Sequence, residues 1–170
     1  ALSKQVVGTP GMLPYPNGIE LFGKRYFGHT LGHGDIVVVE NEKILAKTKE
    51  TYGKESGWVK RLIGLPGDFL QLRDGILYRN GIPQKEPYTA SPQSTFGGPF
   101  LPDCTGIRVP RGKYFIMGDN RKGSSDSRHD VGFIEEKDIQ FVLPYADQKG
   151  VVDKLWRDAI ADLTPAAKSH

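Results

Sequence analysis

The chain has one cysteine, Cys104, so an internal disulfide is excluded. It lies in the run Pro102-Asp103-Cys104-Thr105-Gly106 with no base beside it and reads as a spectator thiol. No apolar run approaches the ~20 residues that span a bilayer. The histidines, His29, His33, His129 and His170, are scattered and form no ligand-spaced group with cysteines or acids, so no metal is expected. The glycine-rich stretches lack a phosphate-loop pattern, and no other cofactor is implied. No repeat is visible. A net charge of +3 without a concentrated basic patch argues against a nucleic-acid partner. It is compatible with a position near an anionic membrane surface.

What is present suits a loop-rich, mostly β protein: 170 residues with 21 glycines and 12 prolines. That length fits one domain, or one domain with a sizeable insertion. Residues 5–8 read as a short strand entering a proline-stiffened loop at 9–14. The β-branched run at 36–39 and the run at 58–63 read as strands. Residues 69–72 and 76–79 flank Asp74-Gly75, a hairpin signal, and Asn80-Gly81 offers a second turn. Residues 83–110 are rich in Pro, Gly, Ser and Thr. The strand at 113–117 returns to the core. The spacing of Val152, Leu155, Trp156, Ala159, Ile160 and Leu163 predicts a short amphipathic C-terminal helix. The expected organisation is an antiparallel β core from 1–72 and 111–148, a hairpin-and-loop subdomain at 73–110, and a C-terminal helix and tail at 149–170.

The densest polar segment is Gly118-Asp119-Asn120-Arg121-Lys122-Gly123-Ser124-Ser125-Asp126-Ser127-Arg128. It has no apolar face to bury and follows directly on the apolar run Tyr114-Phe115-Ile116-Met117, the kind of strand end where sites are built. A second candidate is Lys60. Alternation along a strand puts it on one face with Trp58 and Leu62, and puts Val59, Arg61 and Ile63 on the other. An amine on an apolar face is desolvated and its pKa falls. Service as a general base near neutrality needs a shift of roughly three units, about 4 kcal/mol against the charged form. Arginine, always protonated, cannot play that part. The competing reading is a lysine snorkelling at a strand edge.

Three motifs occur in order: Gly34-Asp35-Ile36-Val37-Val38-Val39, then Lys60-Arg61-Leu62-Ile63-Gly64-Leu65-Pro66-Gly67-Asp68, then the polar segment. From about Val6 to about Leu143 the chain resembles the type I signal peptidases, membrane-bound serine endopeptidases that remove signal peptides from exported proteins. The resemblance implies an antiparallel β catalytic core with a smaller β insertion, and a Ser–Lys dyad with Lys60 as the base. It implies that Ser124 orients the lysine, that Asp126 and Arg128 brace the site as an ion pair, and that Met12 screens the lysine from water. Asp119, Asn120 and Arg121 would hold the loop. Thr9 and the backbone N–H of residue 11 would donate to the oxyanion. The implied partners are preprotein signal peptides with small residues before the cut. The implied location is the extracytoplasmic face of a cell membrane, with an N-terminal anchor expected to have been removed ahead of Ala1.

One position departs from the pattern. The family nucleophile is a serine before methionine, and here Thr9-Pro10-Gly11-Met12-Leu13-Pro14 puts Gly11 in its place. Glycine has no atom to attack a carbonyl, so the chain as written is expected to be inactive. Thr9 is no substitute, being two residues away and fixed by Pro10. Gly11 is read as an engineered replacement, as the mark of a natural non-catalytic relative that chaperones exported or pilus proteins, or as a shifted motif register. Rivals of other classes are a self-cleaving repressor-type Ser–Lys protease, for which no DNA-binding region or scissile loop is evident, and a purely structural β domain.

Overall fold

The computed structural model describes residues 12–148. Gly11, Thr9 and the expected C-terminal helix lie outside the described residues. The chain between is mostly antiparallel β, as the composition and turn chemistry predict.

A six-stranded sheet forms the body, in the order β1-β12-β4-β5-β10-β11. Its strands are β1 (Leu13–Pro14), β4 (Ile36–Val39), β5 (Trp58–Gly64), β10 (Lys113–Met117), β11 (Ile134–Glu135) and β12 (Ile139–Leu143). β4 is all β-branched and all buried, which suits an inner strand covered on both faces. It pairs antiparallel with β5, Val37 opposite Lys60 and Ile36 opposite Arg61. β5 pairs in turn with β10, Leu62 opposite Ile116 and Gly64 opposite Phe115. Ile63 is therefore the extra residue of a β-bulge, and the strand bends there.

A four-stranded sheet, β8-β7-β6-β9, is built from β6 (Phe69–Arg73), β7 (Ile76–Arg79), β8 (Ile82–Pro83) and β9 (Gly106–Arg108). Two tight turns fold it. Asp74 and Gly75 have φ of 53° and 76°, Asn80 and Gly81 54° and 79°, the doubly left-handed pattern of two-residue hairpin loops. β6, which a boundary at 72/73 would leave with the core, hydrogen-bonds to β7 and β9 in this smaller sheet.

Two apolar clusters occupy the two sides of the body. Ile63, Phe115 and Met117 pack with Leu70, Leu72 and Leu77, joining the sheets. On the other side Val37, Leu62 and Ile116 pack with Ile44, Val131 and Ile139. Ile44 belongs to α1 (Glu42–Tyr52), an α-helix that the hydrophobic pattern does not announce because it buries only Ile44 and Thr48. Its ends were nonetheless written locally. The Asn41 side chain accepts from the Ile44 N–H, and Gly53, at φ 76°, donates its N–H to the Lys49 carbonyl.

The remaining sheet is a hairpin of β2 (Ile19–Leu21) and β3 (Lys24–Tyr26), exposed along both strands, with Phe22 and Phe27 exposed as well. Among the described residues, no helix is long and apolar enough to cross a membrane.

Candidate active site

Pairing brings two distant segments together. β5 carries Lys60, and the polar loop leaves the end of β10. Because Met117 lies opposite Arg61, the loop begins beside Lys60. The Lys60 Nζ donates to Ser124 Oγ at 2.8 Å and lies 5.1 Å from the centre of the Trp58 ring. Burial pushes the Lys60 amine down to about 8, with Arg128 adding to the depression and Asp126 and Asp119 opposing it. A cation over an indole gains about 0.5–2 kcal/mol, too little to offset the lost hydration of a charged amine.

Gly118 closes this contact. A Cβ there would lie 2.2 Å from Ser124 Oγ and 3.4 Å from Lys60 Nζ. Gly118→Ala should therefore displace Ser124 from the amine and lower stability by about 1–3 kcal/mol, the range for overpacking a buried site. Denaturant unfolding checks the second effect. An unchanged midpoint would mean that the Ser124 side chain is not confined.

Asp126 is fully buried beneath the loop. It accepts from Arg128 Nε and Nη2, both at 2.8 Å, from the Arg128 N–H at 3.2 Å and from the Gly118 N–H at 3.1 Å. Burial alone would raise its carboxyl. The bonds and charge of Arg128 outweigh it and, with His129 and Lys60, hold the group well below the usual carboxylate range. Arg61, on the opposite face of β5 from Lys60, makes a second buried pair. Its Nε and Nη2 reach Asp119 at 2.8 and 2.7 Å, its Nη1 reaches the Gly34 carbonyl and Gln148, and its guanidinium lies 3.9 Å from the Tyr88 ring centre.

Lys60, Ser124, Asp126 and Arg128 thus meet in one site. Met12 lies elsewhere. It packs against the cluster of Ile36 and Leu143, and Ile36 lies opposite Arg61, on the face of the sheet away from Lys60. Trp58 covers the amine instead, two residues before Lys60 as strand alternation requires. Gly118 stands out only as the glycine opening the polar run, and nothing local marks it as the residue that admits Ser124. His29 and His33 bond Asp35 and Asp68, each at 2.6 Å, and staple the turn before β4 to its surroundings. Among the described residues, no group of three His, Cys, Asp or Glu side chains is placed to hold a metal ion.

These features define a class: antiparallel β proteins whose polar site centres on one part-buried amine beside a hydroxyl. Residues 6–142 match the family described as signal peptidase, peptidase S26, and the chain belongs to that family. Signal peptidase I of Bacillus licheniformis is 40% identical over 126 residues, covering 70% of this chain and 62% of the relative. Signal peptidase I T of Bacillus subtilis (strain 168) is 40% identical over 117 residues, covering 67% and 55%. The chain therefore spans little more than half to three-fifths of these curated relatives. The crystal structure of a signal peptidase I from Enterococcus faecalis V583 is similar at a TM-score of 0.51 and 30% identity, over 68% of this chain and 98% of that one.

Proposed function

We propose that this chain is the catalytic domain of a signal peptidase I that removes signal peptides from exported preproteins by a Ser–Lys dyad, present here in a form whose nucleophile position holds Gly11. The observation that carries the reading is the part-buried Lys60 amine, hydrogen-bonded to Ser124 Oγ at the mouth of the polar loop and pushed down by burial to about 8. In the serine form, neutral Lys60 takes the hydroxyl proton as the oxygen attacks the scissile carbonyl. The backbone N–H of residue 11 and the Thr9 hydroxyl stabilise the oxyanion. Protonated Lys60 then gives its proton to the leaving amine, and water activated by the same amine releases the acyl group. Ser124 keeps the amine aimed, and the Asp126–Arg128 pair braces the loop that carries it. The substrate is an extended segment with small side chains, alanine above all, before the cut, presented at the extracytoplasmic face of a membrane.

Gly11→Ser should cleave a preprotein bearing Ala-x-Ala after the last alanine, in detergent or lipid, where the parent chain does not. Gel shift and mass spectrometry of the new N-terminus check this. A folded Gly11→Ser protein that leaves the preprotein intact would overturn the enzyme reading. Retained binding of the preprotein would then favour a non-catalytic relative that holds exported or pilus proteins. A lysine pushed down by burial is costly to keep, and its presence favours the enzyme.

A further inference from the structure

The long connection from β8 to β9 does more than decorate the small sheet. Its Glu86 meets Arg121 in a two-pronged ion pair, Nη1 to Oε1 at 2.8 Å and Nη2 to Oε2 at 2.6 Å. Both side chains are buried, at 0% exposure for Arg121 and 8% for Glu86. The same guanidinium donates from Nε to the Gly118 carbonyl at 2.9 Å and from Nη1 to Thr95 Oγ1 at 2.7 Å. Every nitrogen of that planar fork is thus engaged, and its geometry fixes the direction of each bond. Both ends of the polar loop are tied to the same connection. The Arg121 carbonyl accepts from Arg128 Nη2 at 2.8 Å, Arg128 Nη1 donates to the Phe96 carbonyl at 2.9 Å, and the Ala90 N–H donates to the Asp119 carbonyl at 3.0 Å. Gly118 in turn backs directly onto Ser124 Oγ and faces Lys60 Nζ.

We infer that Glu86 is a positioning residue: by fixing Arg121 against the Gly118 carbonyl, it presses Gly118 and Ser124 onto the Lys60 amine and keeps water out of that contact. An arginine deprived of its carboxylate stays charged, because guanidinium does not deprotonate. It must turn toward another acceptor or draw water in, and either movement releases the carbonyl it holds. The connection therefore serves the site from a separate part of the chain. For catalysis the inference rests on the signal peptidase reading above; for the state of the amine it does not.

The test is Glu86→Gln, which preserves shape and removes the charge. In the parent chain, the titration of Lys60 is followed by NMR of labelled lysine side chains, with Asp126, Arg128 and Asp119 still facing the amine. We expect a folded protein in which Lys60 holds its proton about tenfold more tightly, one pH unit toward an ordinary lysine. In the Gly11→Ser background, kcat for a signal-peptide substrate should fall by about ten- to a hundredfold with KM nearly unchanged, as for a misplaced catalytic group. Glu86→Asp should recover part of both. A lowered melting temperature with Lys60 titration and kcat unmoved would overturn the inference and leave Glu86 a stabilising residue only. Should Glu86→Gln not fold, Thr95→Val, which removes one bond to Arg121, decides by the same two readouts with smaller changes in the same direction. If Gly11→Ser cleaves nothing even with Glu86 intact, the signal peptidase reading fails, and the NMR arm still decides the role of Glu86.

Discussion

Lys60→Met, made in the Gly11→Ser protein, should abolish cleavage and at the same time stabilise the fold near neutral pH. General-base catalysis contributes about 10²–10⁴-fold, and methionine retains the bulk of the side chain without the amine. The stabilisation follows from linkage. The folded amine titrates near 8 and an ordinary lysine near 10.5, so between these values the unfolded chain binds more protons than the folded one. Stability therefore rises as pH climbs from 8 to 10.5, and below 8 the folded state carries the whole penalty. A displacement of that size corresponds to about 3 kcal/mol. Denaturant unfolding of the two proteins should show Lys60→Met ahead at pH 7 and the difference closing by pH 10.5. Lower stability of Lys60→Met at pH 7 would mean that the amine sits charged and well paired, which a waiting base does not. The same titration sets the rate profile. In the Gly11→Ser protein, kcat/KM should rise tenfold per pH unit up to about 8 and then level off, as the neutral amine accumulates.

Asp126→Ala should cause the largest loss of stability of any single change in the site. It leaves the Arg128 guanidinium buried opposite an empty space, and removes the acceptor of the Gly118 N–H. Breaking one side of a buried pair costs about 3–5 kcal/mol, which for a chain of this size lowers the melting temperature by about 6–20 °C. The double variant Asp126→Leu with Arg128→Met should recover much of that, because no charge is then left unpaired. Calorimetry on the two singles and the double gives the coupling directly. Equal losses in all three would mean that shape, and not charge, is what Asp126 supplies. The carboxyl is held well below its usual range. Its contribution is accordingly complete above the ordinary carboxylate pKa of about 3.9 and disappears as pH falls toward the folded value. Acid unfolding of the parent should therefore be steeper than that of the double variant.

Features that depend on neighbours in sequence were legible before any fold was known. Asp74-Gly75 and Asn80-Gly81 are hairpin turns because only residues tolerant of positive φ close two-residue loops. The run at 36–39 is an inner strand because four β-branched residues fit a sheet covered on both faces. Alternation along 58–63 set Lys60 and Trp58 on one face, and the amine does lie against that ring. α1 was missed because its body is solvated, although Asn41 and Gly53 marked its ends.

Other features came only with the third dimension. Met12 belongs to the far face of the sheet because the pairings of β1 with β12, β12 with β4 and β4 with β5 decide its side, and no local pattern encodes three registers at once. Alternation alone turns Arg61 away from Lys60, but that Asp119, Gln148 and the Tyr88 ring enclose it there depends on segments far off in the chain. Glu86 and Arg121 stand 35 residues apart, and nothing in either neighbourhood names the other. Turn chemistry and alternation act over a few bonds, so the chain carries them openly. Burial of one amine beside one hydroxyl depends on how distant strands and loops close around them, and that closure exists only in the folded protein.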